Sequence, residues 1–193
     1  MWYNPRMLDV STAFATFPVL HTPRFVLRAP VLSDAPAVFA VRRDPEVLRY
    51  FGKLPMTEES AAVDWVRALH DYFAAHSSIR WIITVPGEDE YIGSCGFWRI
   101  LEEHDRAEVG YELAPAWWGR GVMTEVLAAV LAWGFATLHL HSVEAHIHPA
   151  NTGSRRVLEK VGFVQEGYFR QNYYDVVEQG FTDTAVFSLL APA

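Results

Sequence analysis

Apolar and polar positions along this chain recur with two periods, and the changes between them predict the elements. Phe25-Val26-Leu27-Arg28 reads as a strand, and Ser33-Asp34 opens a helix carrying Val38, Phe39 and Val41 that breaks at Asp44-Pro45. Thr57-Glu58-Glu59 caps a longer amphipathic helix through Val63, Val66, Leu69 and Phe73. Two strands follow, Trp81–Val85 and Tyr91–Trp98, joined by the polar turn Pro86-Gly87-Glu88-Asp89-Glu90. After an acidic loop at Leu101–Asp105 comes a third strand, Glu108–Leu113. The helix opening at Gly121 brings Val122, Val126, Val130, Trp133 and Leu138 near one face. Ser142–Ile147 is a strand, and Asn151–Val161 is a short helix stopped by Gly162. From Phe163 onward the pattern gives two more strands, ending with Phe181–Leu190. This order predicts an α/β fold, a mixed and mostly antiparallel sheet of about seven strands flanked by helices.

The densest chemistry lies at residues 108–124, Glu-Val-Gly-Tyr-Glu-Leu-Ala-Pro-Ala-Trp-Trp-Gly-Arg-Gly-Val-Met-Thr, where a strand enters a glycine-punctuated turn that opens into a helix. Such a turn leaves backbone N–H groups unpaired and convergent, with the positive end of the helix dipole behind them, and suits phosphate. Gly119-Arg120-Gly121 alone is equally a tight structural turn, and it lacks the Lys-Ser/Thr ending of a nucleotide P-loop. A second motif, Asn151-Thr152-Gly153-Ser154-Arg155-Arg156-Val157-Leu158-Glu159-Lys160-Val161-Gly162-Phe163, follows about 30 residues later.

The pair resembles the GNAT superfamily of N-acetyltransferases, with its phosphate signature Gln/Arg-x-x-Gly-x-Gly/Ala and later motif Asn-x-x-Ser/Ala…Glu-Lys-x-Gly-Phe. Trp118 stands where the family has Gln or Arg, Gly121 matches, and Met123 replaces a small residue; Asn151, Ser154, Glu159, Lys160, Gly162 and Phe163 match directly. The segments Leu20–Arg28 and Trp117–Glu125, and the closing Gly180-Phe181-x-Asp183, are similar to the ribosomal-protein (Rim-type) branch. The likeness runs from about Leu20 to Leu190 and implies a single GNAT domain over residues 18–193, after a loosely held leader over 1–17.

The resemblance implies acetyl-CoA as cosubstrate and no metal. Its diphosphate would lie on the amides of Gly119, Arg120, Gly121, Val122, Met123 and Thr124, with Trp118 covering the coenzyme or anchoring the turn. Its pantetheine arm would pair with the strand edge at Tyr111–Leu113, in a splay between that strand and Ser142–Ile147, with Asn151 and Ser154 contributing. Strand alternation puts Glu108, Gly110 and Glu112 on one face, which reads as a cleft wall. Glu108 occupies the position of a superfamily glutamate base, with Glu112 as second candidate; solvated edge carboxylates are the competing reading for both. In the Rim-type branch the serine matching Ser154 protonates the departing thiolate, and the tyrosine other members use falls on Leu158 here. Some Rim-type enzymes place a glutamate base where this chain has Tyr173.

Composition narrows the partners. The chain has 193 residues, 51% hydrophobic, with a net charge of −7, which argues against a nucleic-acid surface and for one soluble domain. No apolar run reaches the roughly 18 residues that span a membrane, and the polar residues Arg6, Asp9, Ser11 and Thr12 break any signal-peptide core. The single Cys95 excludes a disulfide framework and suits a reducing, cytoplasmic setting. His139, His141, His146 and His148 lack an acid or cysteine at ligand spacing, so metal is not expected. Tyr50-Phe51 and Gln171-Asn172-Tyr173-Tyr174 are candidates to line an acceptor pocket. The function expected is acetyl transfer to a primary amine, a protein N-terminus (in the Rim-type case a ribosomal protein's) or a small amine. A homodimer is plausible from the aromatic content. The alternatives are a catalytically silent acyl-CoA-binding module and a nucleotide-binding switch.

Overall fold

A computed structural model describes Leu8 and residues 10–192. It contains α1 (Val10–Ala13), β1 (Leu20–His21), β2 (Val26–Arg28), α2 (Ala35–Arg42), α3 (Pro45–Leu48), α4 (Glu59–Ala74), β3 (Ile79–Thr84), β4 (Gly93–Leu101), β5 (Arg106–Leu113), α5 (Val122–Ala136), β6 (Ser142–Ile147), α6 (Thr152–Lys160), β7 (Val164–Asp175) and β8 (Gly180–Leu190). The strands form one sheet in the order β1-β2-β3-β4-β5-β6-β8-β7. Only β5 and β6 run parallel; the other neighbours are antiparallel. The eighth strand, beyond the seven expected, is the two-residue β1, whose register partners Leu27 and Val26 lie on β2. Two residues are too few for an alternation pattern to register in the sequence.

Alternation along the strands sends Trp81 and Ile83 to one face of the sheet and Ile82 to the other. On the first face Cys95, Phe97, Val109, Val143 and Ala145 pack with Val122, Val126 and Val130 of α5 and Leu158 of α6. α5 is apolar on nearly every side, as a helix sunk in the core must be. On the second face, α2 and α4 bring Val38, Ala62 and Val66 onto Ile82 and Tyr91. The central part of that second face carries Glu108, Gly110 and Glu112.

The leader expectation needs correcting where it can be seen. Leu8, Ala13 and Phe14 are buried in the main core, and Phe17 packs edge-on against Trp81. Apolar positions this close to the first strands are pulled in by burial of their own surface. Residues 1–7 and 9 of the expected leader lie outside the described residues.

Candidate active site

The parallel pairing of β5 with β6 is short. Arg106 faces Ser142, Ala107 faces Val143, Glu108 faces Glu144, and there it ends, although β5 continues to Leu113 and β6 to Ile147. β5 stays paired with β4 as far as Leu113. Its edge toward β6 is therefore open from Val109 onward, where backbone donors and acceptors are left for an extended ligand. This is the expected splay, and Glu108 sits at its apex.

At the far end of β5 the chain turns through Trp118 into α5. Gly119 and Gly121 hold φ of 72° and 73°, left-handed values that favour glycine, and Gly121 is the residue preceding the helix. The first intrahelical bond comes from Glu125 N–H to the Gly121 carbonyl, so the N–H groups of Val122, Met123 and Thr124 have no partner among the described residues at the helix start. Val122 and Met123 bury their side chains and offer only backbone. Arg120 lies over the Trp117 ring. Arg24 clamps the turn from β2's approach: its Nε donates to Glu125 Oε2 at 2.7 Å and its Nη1 to the Arg120 carbonyl at 3.1 Å. Sequence reasoning missed this clamp; its only signal was a glutamate in the first turn. Trp118 donates its indole N–H to the Leu113 carbonyl at 2.7 Å, so this one expected pantetheine acceptor is covered.

Glu108 and Glu112 share a face as expected and are 7% and 3% exposed, but only Glu108 lines a cavity. Their surroundings set them apart. Burial pushes the Glu108 carboxyl up to about 7 against the pull of Arg99, with Glu144 adding to the rise. Arg99 Nη1 is 3.4 Å away, and Glu108 lines a shallow polar cavity together with Arg99, Arg106 and Glu144. Glu112 accepts from Arg42 Nε at 2.9 Å and from the Tyr91 hydroxyl at 2.7 Å. Burial alone would raise its pKa, but Arg42, Arg80 and Tyr91 outweigh burial and hold it below the usual carboxylate range. A carboxylate held so firmly in its ionised, bonded form is a poor proton acceptor, which fits a positioning role for Glu112 in place of the second-base role.

Across the splay, Asn151 Oδ1 caps α6 by accepting from Ser154 N–H at 3.0 Å. The Ser154 hydroxyl, 9% exposed, lies 2.6 Å from the Tyr111 hydroxyl. Burial raises the Tyr111 pKa, so the phenol stays protonated. Leu158 is buried, as its place on the apolar stripe implied. The structure thus brings a phenol to Ser154 from the strand, a contact that 43 residues of separation hid. Replacing Ser154 with alanine is expected to lower kcat about 10- to 100-fold while leaving acetyl-CoA affinity within a few-fold, in steady-state rates and calorimetry.

Tyr173, at the place of a Rim-type base, donates its hydroxyl to the Phe51 carbonyl at 3.2 Å and covers Gly52. Tyr50 stacks on His148, with centroids 5.2 Å apart. Tyr50-Phe51 and Tyr173 therefore do meet, at the end of β6. His148 accepts from Ala150 N–H, and no group of three potential metal ligands is found among the described residues. Cys95 is fully buried, its thiol pushed up to about 12 by burial.

The acetyltransferase (GNAT) domain matches residues 24–164. The chain belongs to the GNAT acetyltransferase family. It is 36% identical over 177 residues to the uncharacterized N-acetyltransferase YoaA of Bacillus subtilis, covering 91% of this chain and 98% of that one. It is 31% identical over 108 residues to the ribosomal protein uS5-alanine N-acetyltransferase of Escherichia coli, covering 55% of each. Mycobacterium smegmatis RimJ, solved in complex with CoA-disulfide, shares the fold at a TM-score of 0.76 and 24% identity, covering 91% of this chain and 87% of that one. This GNAT protein is an acetyl-CoA-dependent N-acetyltransferase. No described helix is long and apolar enough to cross a membrane.

Proposed function

We propose that acetyl-CoA lies with its diphosphate on the free N–H groups of residues 119–124 and its pantetheine arm along the open edge of β5 at Tyr111–Leu113. The acceptor amine approaches from the opposite face of the sheet, where Glu108 stands. The amine nitrogen attacks the thioester carbon, the N–C bond forms and the C–S bond breaks within one ternary complex. Glu108 takes the proton from nitrogen, and the Ser154 hydroxyl, held by its hydrogen bond with Tyr111, gives one to the sulfur and regains it from solvent as the products leave. No acyl-enzyme is involved, because Cys95 is buried and its thiol stays protonated. The observation that carries this reading is Glu108 at the last paired position before the splay opens.

The acidity of Glu108 also bears on the acceptor. At pH 7 an α-amino group is about a tenth neutral, and a lysine-like amine below about 0.1%, a gap worth roughly 3 kcal/mol. A base near 7 suits the easier α-amine, as does the likeness to a relative named for acting on an alanine of a ribosomal protein. The test is thiol release from acetyl-CoA against a panel of peptide α-amines, lysine side chains and polyamines. Turnover highest with α-amines is expected. Carrier binding with no turnover on any amine would favour the silent acyl-CoA-binding module instead.

A further inference from the structure

Arg80 is the one charged residue in the strand Ile-Arg-Trp-Ile-Ile-Thr, and its charge acts on Glu112 without an ion pair between them. It faces Gly96 on β4, and Gly96 faces Gly110 on β5. This glycine row lets the side chain lie across the sheet from β3 to β5. Its Nη2 ends 3.0 Å from the position a Cβ on Gly110 would take. The indole Nε1 of Trp98 lies 3.7 Å from the same position and makes no hydrogen bond with any described residue. Gly110 is the residue between Glu108 and Glu112 on the face from which the acceptor approaches.

The guanidinium is short of partners. Its side-chain hydrogen bond goes to Ser94 Oγ at 3.1 Å, and no carboxylate lies within ion-pair distance of it among the described residues. Glu112, whose charge acts on it, is bonded to Arg42 and Tyr91 and reaches Arg80 only through the Ser94 hydroxyl, which donates to Glu112 Oε1 at 3.3 Å. Burial lowers the Arg80 pKa, the mark of a cation whose environment lacks full compensation. Arginine remains charged at any working pH, so an anion arriving at Gly110 would complete the site.

We infer that Arg80 and Trp98 form a subsite over Gly110 for a carboxylate carried by the acceptor, a few bonds from its amine. This rests on the acetyl-transfer reading and names the acceptor class within it: a free amino acid, or a peptide whose first residue is Asp or Glu. Same-face neighbours on a strand are about 6.6 Å apart, which sets amine at Glu108 and carboxylate at Arg80 within one small residue.

The test measures kcat/KM for matched acceptors differing in one charge, alanine against alaninamide and Asp-Ala-amide against Asn-Ala-amide. The wild type should favour the acid of at least one pair by roughly 10- to 100-fold, through KM, as expected of charge-assisted hydrogen bonds. Arg80→Gln should bring that ratio to about 1, Arg80→Lys should keep part of it, and Trp98→Phe should lower it about threefold. Should Arg80→Gln not fold, Trp98→Phe and Arg80→Lys carry the test alone. No acid preference in the wild type, or a ratio unchanged by Arg80→Gln, overturns the subsite. Equal loss of kcat for acid and neutral acceptors would assign Arg80 to the transition-state oxyanion and also overturns it. Calorimetry of the acid acceptors onto the CoA-bound protein separates the two failures: binding lost with Arg80→Gln but no turnover in wild type faults the transfer reading alone.

Discussion

Replacing Glu108 with glutamine is expected to lower kcat about 10²- to 10⁴-fold, the range by which a positioned general base accelerates proton transfer. Wild-type kcat/KM for an α-amine should rise with pH in two steps, one near 7, where burial holds the Glu108 carboxyl that must be ionised to accept a proton, and one near about 8 from the amine itself. Glu108→Gln should remove the step near 7 and leave only the amine's own. A stability readout separates this from mere damage. The folded pKa is raised above the ordinary 4.5, so the favourable contribution of the neutral carboxyl is complete below the unfolded value and is lost as pH rises through about 7. The glutamine variant should therefore match wild type in thermal melts near pH 4 and exceed it above pH 8, by up to about 3 kcal/mol. An unchanged rate, or a step near 7 that persists in the variant, would remove Glu108 from the reaction.

Replacing Glu112 with glutamine should do the opposite. Its side chain is fully buried against Arg42 and Tyr91, and Arg42 also lies over the Trp65 ring at 4.1 Å. Removing one partner leaves the Arg42 guanidinium buried and uncompensated, which costs about 3–5 kcal/mol. In a domain of this size that is a fall of roughly 10 °C in Tm. The pair ties α2 to β5 under the acceptor face, so kcat is expected to fall less than in Glu108→Gln when measured well below the melting range. A variant as stable as wild type would show that the ion pair contributes nothing net.

These two glutamates also mark what the sequence could and could not disclose. Both were visible as same-face residues on one strand, because alternation is a local property. What separates them is the company they keep. Arg42 reaches Glu112 across 70 positions, and Arg99 reaches Glu108 around the turn between β4 and β5. No local pattern encodes such contacts. The strand Ser142–Ile147 was legible to the residue, since valine, alanine and isoleucine alternate with polar positions between a histidine-rich loop and a proline. The glycine turn was legible too, because left-handed φ leaves a compositional trace. The Arg24 clamp, the Tyr111–Ser154 contact and the Arg80–Gly96–Gly110 row were not, since each depends on register between distant segments.

The account rests on main-chain donors at the start of α5, and Gly121 is where they are most exposed to test. A valine there must adopt φ near 73°, a strained conformation for a β-branched residue, so the turn has to rearrange. Calorimetric titration of CoA into wild type and Gly121→Val, with circular dichroism confirming the same secondary structure, is the direct measurement. Saturable binding by wild type, weakened about 10- to 100-fold in the variant, is the result expected. Equal affinity for the two proteins, or no binding by wild type, would contradict it.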